Sequence, residues 1–157
     1  MIRKLMIAIA LLCAATLPAR AESLLEKLGK EPTYATFMAA VKAAGVEDVL
    51  KQANITVFIP NDAAFKRLPD GALANLMKPE NKAQLVQLVR NHVVARPLPT
   101  KEIDGKEFSV QSLAGKSLAV DADDGLDDIK VNKIKVVKWD VMGDNGVGHE
   151  IGRVLLP

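Results

Sequence analysis

The spacing of apolar positions changes character once along the chain, from a helical period to strict alternation, and one uninterrupted apolar run stands before the change. Leu24, Leu25 and Leu28 form a short apolar face ahead of Pro32, and Phe37, Val41 and Ala44 then recur near the helical period until Gly45 offers a stop. Residues 46–52 read as a second short helix presenting Val49 and Leu50. Ile55, Thr56, Val57, Phe58 and Ile59 follow with little polar alternation, the pattern of a strand covered on both faces. Pro60 ends it, Asn61 is placed to cap a helix starting at Asp62, and Ala64, Phe65 and Leu68 turn one face inward before Pro69.

The Asp70-Gly71 pair turns into a helix carrying Leu73, Leu76 and Met77, and a longer helix is predicted over 82–94, with Leu85, Leu88, Val89 and His92 on one face. Beyond Arg96, short strands are expected near 103 and at 108–113, 117–121, 129–131, 134–137 and 150–155, most of them separated by Gly-containing turns. Helices first and strands later indicate α+β, with the early strand at 55–59 joining a sheet built from later segments.

Charge and cysteine content narrow the function classes. A basic start, an apolar stretch over 5–15 and the small-residue pattern Ala19-Arg20-Ala21 read as a signal peptide, residues 1–21, removed from a single domain at 22–157. The apolar stretch is too short to span a bilayer, so the expectation is an exported chain, periplasmic or secreted, that does not span the membrane after cleavage. Cleavage would remove the lone Cys13 and, with it, disulfide, thiolate-metal and Cys-nucleophile chemistry. It would also remove Arg3, Lys4 and Arg20, taking the basic count from 21 to 18 against 19 acids, so the formal charge moves from +2 to −1. A near-neutral chain with few aromatics gives no warrant for nucleic-acid binding. The remaining serines, Ser23, Ser109, Ser112 and Ser117, form no nucleophile elbow, and the chain is expected to be non-catalytic, without cofactor, and monomeric.

Three ordered segments resemble the signatures of the fasciclin domain family. Thr56, Val57, Phe58, Pro60, Asn61, Ala64 and Phe65 match its first signature. Leu73 to Val94, with Leu85, Leu88, His92, Val93 and Val94, is similar to its middle segment ending Tyr-His-Val-Val, and Asn145 to Pro157 is similar to its terminal N-G-V-I-H-x-I-D-x-V-L-x-P. The resemblance implies a wedge-shaped β-sandwich of about seven strands with N-terminal and middle helices along one side. It also implies an adhesion or interaction module that binds a protein or glycan partner rather than an enzyme. Asn91 stands where the family usually has Tyr, and Gly148 and Gly152 replace Ile and Asp, which leads one to expect a looser or bulged last strand.

Candidate partner-binding residues follow from exposure of loops and charge patterning: Asn91, His92 and Arg96 around the 91–100 connection, and Lys130, Lys133, Lys135 and Lys138. The two histidines, His92 and His149, read first as hydrogen-bonded structural residues. The lysines read as the solvent face of an edge strand, with an anionic polysaccharide or a membrane surface as the functional alternative. Five carboxylates between Asp121 and Asp128 read as a solvated hairpin tip, because Gly125 and Asn132 stand where an EF-hand needs ligands. The alternative function is a carrier of a small apolar ligand such as a carotenoid, with Met38, Met77 and Met142 lining a groove.

Overall fold

The computed structural model describes residues 21–157; the signal-peptide segment therefore lies almost wholly outside the described residues. Its organising strand is β1, Ile55–Pro60, buried at every position. The remaining strands are β2 Val93–Val94, β3 Glu107–Gln111, β4 Ser117–Asp121, β5 Lys130–Val131, β6 Ile134–Met142 and β7 Gly146–Ile151, hydrogen-bonded in the order β2-β1-β7-β6-β5-β4-β3. β1 pairs in parallel with β7, from Ile55 opposite Gly146 to Pro60 opposite Ile151, and antiparallel with β2; the other pairings are antiparallel. The early strand thus joins a sheet made from later segments.

The two ends of this order meet. Val94 of β2 bridges to Ser112, just past β3, and the Leu113 N–H donates to the Val93 carbonyl at 2.8 Å. The sheet therefore folds over on itself around an apolar filling of Phe58, Val94, Leu118, Val120, Val136 and Ile151. On the other side of β1, Ile55, Val57 and Ile59 pack against α1 Leu24–Lys30, α2 Ala35–Ala44 and α5 Lys82–Asn91 through Leu24, Phe37, Val41, Leu85 and Val89. Alternate side chains of one strand thus enter two separate cores, the physical basis of its uninterrupted apolar sequence. The result is the α+β wedge, seven strands with helices along one side.

Local signals set the element ends. Ser23 and Glu26 close a capping box on α1, and Gly45 stops α2 with a left-handed φ of 69°. Between α2 and β1, Glu47–Lys51 forms a 3₁₀ turn. α3, Asp62–Lys66, starts with Asn61 accepting from the Ala64 N–H at 2.8 Å, and Asp62 in turn accepts from the Thr36 N–H in the first turn of α2 at 2.9 Å. α4 is Ala72–Leu76.

Four expectations are corrected. The strand near 103 is the helical turn α6, Thr100–Ile103, whose first residue is held by the Asp140 carboxylate: the Thr100 N–H donates at 2.9 Å and its hydroxyl donates as well. The long helix ends at Asn91, and Val93–Val94 peel off as β2. The last strand ends at Ile151 rather than 155, because the backbone of Leu155 is bonded instead to His92 and Asn91. The irregularity expected in that strand lies in its partner: β6 is longer than predicted and breaks register between Val136 and Lys138 and again before Val141. Gly148 is what lets β7 lie close, since a Cβ there would sit 2.5 Å from Ile59 Cδ1.

Candidate partner-binding site

The buried polar groups come first, because they show which sequence candidates belong to the scaffold. Asn91 is 1% exposed and His92 fully buried, which removes both from any contact surface. The Leu155 N–H donates to His92 Nε2 at 3.0 Å, so the ring proton resides on Nδ1, which donates to the Leu88 carbonyl at 2.7 Å. Asn91 donates to the Leu155 carbonyl at 3.1 Å and accepts from the Ser112 hydroxyl at 3.0 Å. Together they fasten the C-terminal segment to α5 and to the β3–β4 turn. Burial pushes the His92 imidazole down to about 4.

His149 does the same at the opposite end. The Asp140 N–H donates to Nδ1 at 3.3 Å, Nε2 donates to the Leu98 carbonyl at 2.7 Å, and the ring stacks on Phe58 at 5.9 Å between centroids. Burial lowers its pKa too. Thr56 completes the fastening of this loop, donating to the Arg96 carbonyl at 2.6 Å and accepting from the Leu98 N–H at 2.9 Å. Glu150 is buried and accepts from the Tyr34 hydroxyl at 2.9 Å and from the Asn61 amide at 2.7 Å, which ties α3 and the Tyr34 turn to β7. Burial and this carboxylate raise the Tyr34 phenol above its usual range. Among the described residues every buried side-chain nitrogen or oxygen has a partner. These groups are committed to holding the fold.

The lysines separate. Lys130 is neutralised by Asp128 at 2.5 Å, and this ion pair holds the Asp128 carboxyl below its usual range. Lys138 lines a different depression beside Tyr34 and Asp140. Arg96 is exposed and lies 6.0 Å above the Phe108 ring. Lys133 and Lys135 do meet at a groove of about 460 Å³, where residues far away in sequence join them. Its charged lining is Arg67, Lys133, Lys135 and Arg153, four cations against the single carboxylate of Asp127. Lys135 also lies 3.8 Å from Asp128. The floor is apolar: Val137, 55% exposed, with half-buried Ile134 and Trp139.

Arg67 is set in place from the end of α3 by a 2.7 Å hydrogen bond from its guanidinium to the Gly152 carbonyl. A Cβ on Gly152 would stand 3.4 Å from that guanidinium and 3.6 Å from Val137, which places cation and floor side by side next to this residue. Arg67, Trp139 and Arg153 were not among the sequence candidates. Trp139, the sole tryptophan, continues the lysine-bearing strand and could have been flagged by that alone. Arg67 is brought in by tertiary pairing of β1 with β7 and left no local signal.

The acidic run lies partly at the groove edge. Asp123 is held above the usual carboxylate range chiefly by its hydrogen bond with Asp121. Among the described residues no group of three or more His, Cys, Asp or Glu side chains is arranged to hold a metal ion. The methionines do not share a groove: Met38 is in the helical core, Met77 packs half-buried against it, and Met142 is exposed at the end of β6. A separate open apolar depression of about 610 Å³ lies between α5 and Leu156. No helix among the described residues is long and apolar enough to cross a membrane.

Comparison with known proteins places this architecture. The sequence matches the Fasciclin domain over residues 32–157. It is similar to Protein sll1483 of Synechocystis sp., 39% identical over 138 residues that cover 87% of this chain and 74% of that one. It is also similar to the cell surface glycolipoprotein MPB83 of Mycobacterium bovis, 34% identical over 110 residues covering 70% of this chain and 47% of that protein. Among solved structures, a FAS1 domain pair from the insect cell adhesion molecule fasciclin I aligns with a TM-score of 0.53 at 16% identity, over 80% of this chain and 44% of that one, a likeness of fold alone. With its family match running from the Tyr34 turn through the terminal segment fastened by His92, the chain belongs to the fasciclin domain family.

Proposed function

We propose that this protein is an exported, non-catalytic interaction module that binds a protein or glycan of the cell envelope or its surroundings. On this reading residues 1–21 are removed and 22–157 act as one domain. The observation that carries it is the groove between α3 and β6, where Arg67, Lys133, Lys135 and Arg153 surround an exposed apolar floor while the histidines and Glu150 are spent on internal bonds. A preformed surface of this kind recognises a partner with little ordering cost and carries out no bond chemistry. Membership in a family with a cell-surface relative supports the envelope setting.

An unbiased capture from the envelope and medium of the host tests it, with protein and small-molecule mass spectrometry on the eluate. Wild-type protein is expected to retain a partner that a Lys133→Ala/Lys135→Ala/Arg153→Ala variant of equal melting temperature does not. Identical eluates from both would count against the groove. Recovery of an apolar small molecule alone would favour the carrier function, with the depression beside Leu156 as its place.

A further inference from the structure

The groove holds more information than its charge. A purely electrostatic surface for a flexible polyanion needs only lysines in water, yet this one sets its cations around a hydrocarbon and indole floor. Trp139 packs one side on the sheet core with Phe108 and Ile134 and offers the remainder to the groove. Val137 is exposed beside it, on a strand whose neighbouring lysines Lys135 and Lys138 also face solvent. Arg67 is oriented by its hydrogen bond to the Gly152 carbonyl, and both Arg67 and Val137 lie close to Gly152.

We propose, building on the interaction-module reading above, that this groove is the binding site for an acidic polysaccharide, a chain of sugar rings bearing carboxylate or sulfate groups. A pyranose ring has an apolar face of C–H groups that suits an indole and an aliphatic floor, and polar edges that carry the anionic substituents outward. Trp139 and Val137 receive the ring face. Arg67, Arg153, Lys133 and Lys135, all lining the groove, receive the anions, the planar guanidinium groups offering bidentate geometry and the lysines acting as point charges. The cleft is open rather than enclosed, as a chain that enters and leaves along its length requires. Polyglutamate would satisfy the cations equally but carries no ring face to place on Trp139, and inorganic polyanions have none at all. Partner charge alone therefore does not account for the floor.

The probes are alginate and dextran sulfate as carboxylated and sulfated chains, with neutral dextran, polyglutamate and polyphosphate as comparators, titrated against the full protein and two variants. Lys135→Ala/Arg153→Ala removes charge without touching the core, and Trp139→Leu keeps apolar bulk under the sheet while removing the indole. Binding of alginate or dextran sulfate is expected, weakened at least about 10-fold by the double substitution at unchanged melting temperature and about 5-fold or more by Trp139→Leu, assayed well below that variant's own melting temperature. Neutral dextran is expected not to bind, and polyphosphate to bind with no dependence on Trp139. Quenching of Trp139 fluorescence by the acidic polysaccharide, absent with polyphosphate, reports the ring contact directly. Polyglutamate binding as tight as alginate, or polysaccharide binding indifferent to Trp139, would overturn the proposal. If neither polysaccharide binds while envelope material is still retained in a groove-dependent way, the ligand class is wrong and the interaction-module reading stands.

Discussion

Lowering the pH should strip stability from this fold through one imidazole. His92 is fully buried, and its Nε2 must stay unprotonated to accept the Leu155 N–H. Protonation would set two donors against each other and place a charge among Phe37, Leu88 and the C-terminal backbone. Because the folded value is depressed from 6.5 to about 4, the unfolded chain takes up its proton first as pH falls. Stability is complete above the ordinary value, declines between 6.5 and about 4, and levels off below that. For this single group the loss between about pH 7 and about pH 5 is about 2 kcal/mol. His149, lowered by the same cause, adds to the loss in the same direction. Urea unfolding of wild type and His92→Gln at the two pH values isolates the His92 share, because the comparison reads the change with pH and not absolute stability. Wild type is expected to lose about 2 kcal/mol more than the variant over that interval. Equal losses within about 0.3 kcal/mol would refute the assignment of an uncharged, accepting imidazole at this position.

Three further substitutions probe the scaffold. Phe58→Ala should cost about 3 to 5 kcal/mol in denaturant unfolding, since the ring is buried in the sheet core against His149; a loss under about 1 kcal/mol would deny β1 its organising place. Gly146→Ala should destabilise by about 1 to 3 kcal/mol, read as a drop in melting temperature, because its Cβ would lie 2.4 Å from the Ile55 carbonyl oxygen, a backbone atom fixed in the parallel β1–β7 pairing. Asn91→Ala should cost about 1 to 3 kcal/mol by leaving the Leu155 carbonyl and Ser112 hydroxyl without their partner, and amide exchange should rise first in the C-terminal segment.

Elements specified by local chemistry were legible in the sequence. The apolar run at 55–59, the Asn61 cap and the Gly45 stop all form as their residues require. What failed locally was decided by partners remote in the chain. Thr100 became the start of a helical turn because Asp140 holds it, and residues 152–155 left the sheet because His92 and Asn91 take their backbone. The same distinction governs the candidate site. Lys133 and Lys135 were visible as an alternating charged strand. Arg67 and Arg153 join them only through the pairing of β1 with β7 and β7 with β6, which no sequence spacing encodes. Asn91 and His92 were candidates because they open the 91–100 connection; both are buried instead, their side chains bonded to the backbone of Leu155 and Leu88.

The most direct test of the account is the affinity of the protein for isolated envelope material before and after charge reversal in the groove. Lys135→Glu/Arg153→Glu leaves both cores untouched, since both side chains are exposed. Retention is expected to fall at least about 10-fold, and wild-type retention to weaken as salt is raised from about 50 to about 200 mM, with melting temperatures within a degree or so of each other. Undiminished retention by the folded variant would contradict the claim that this protein meets its partner through the groove between α3 and β6.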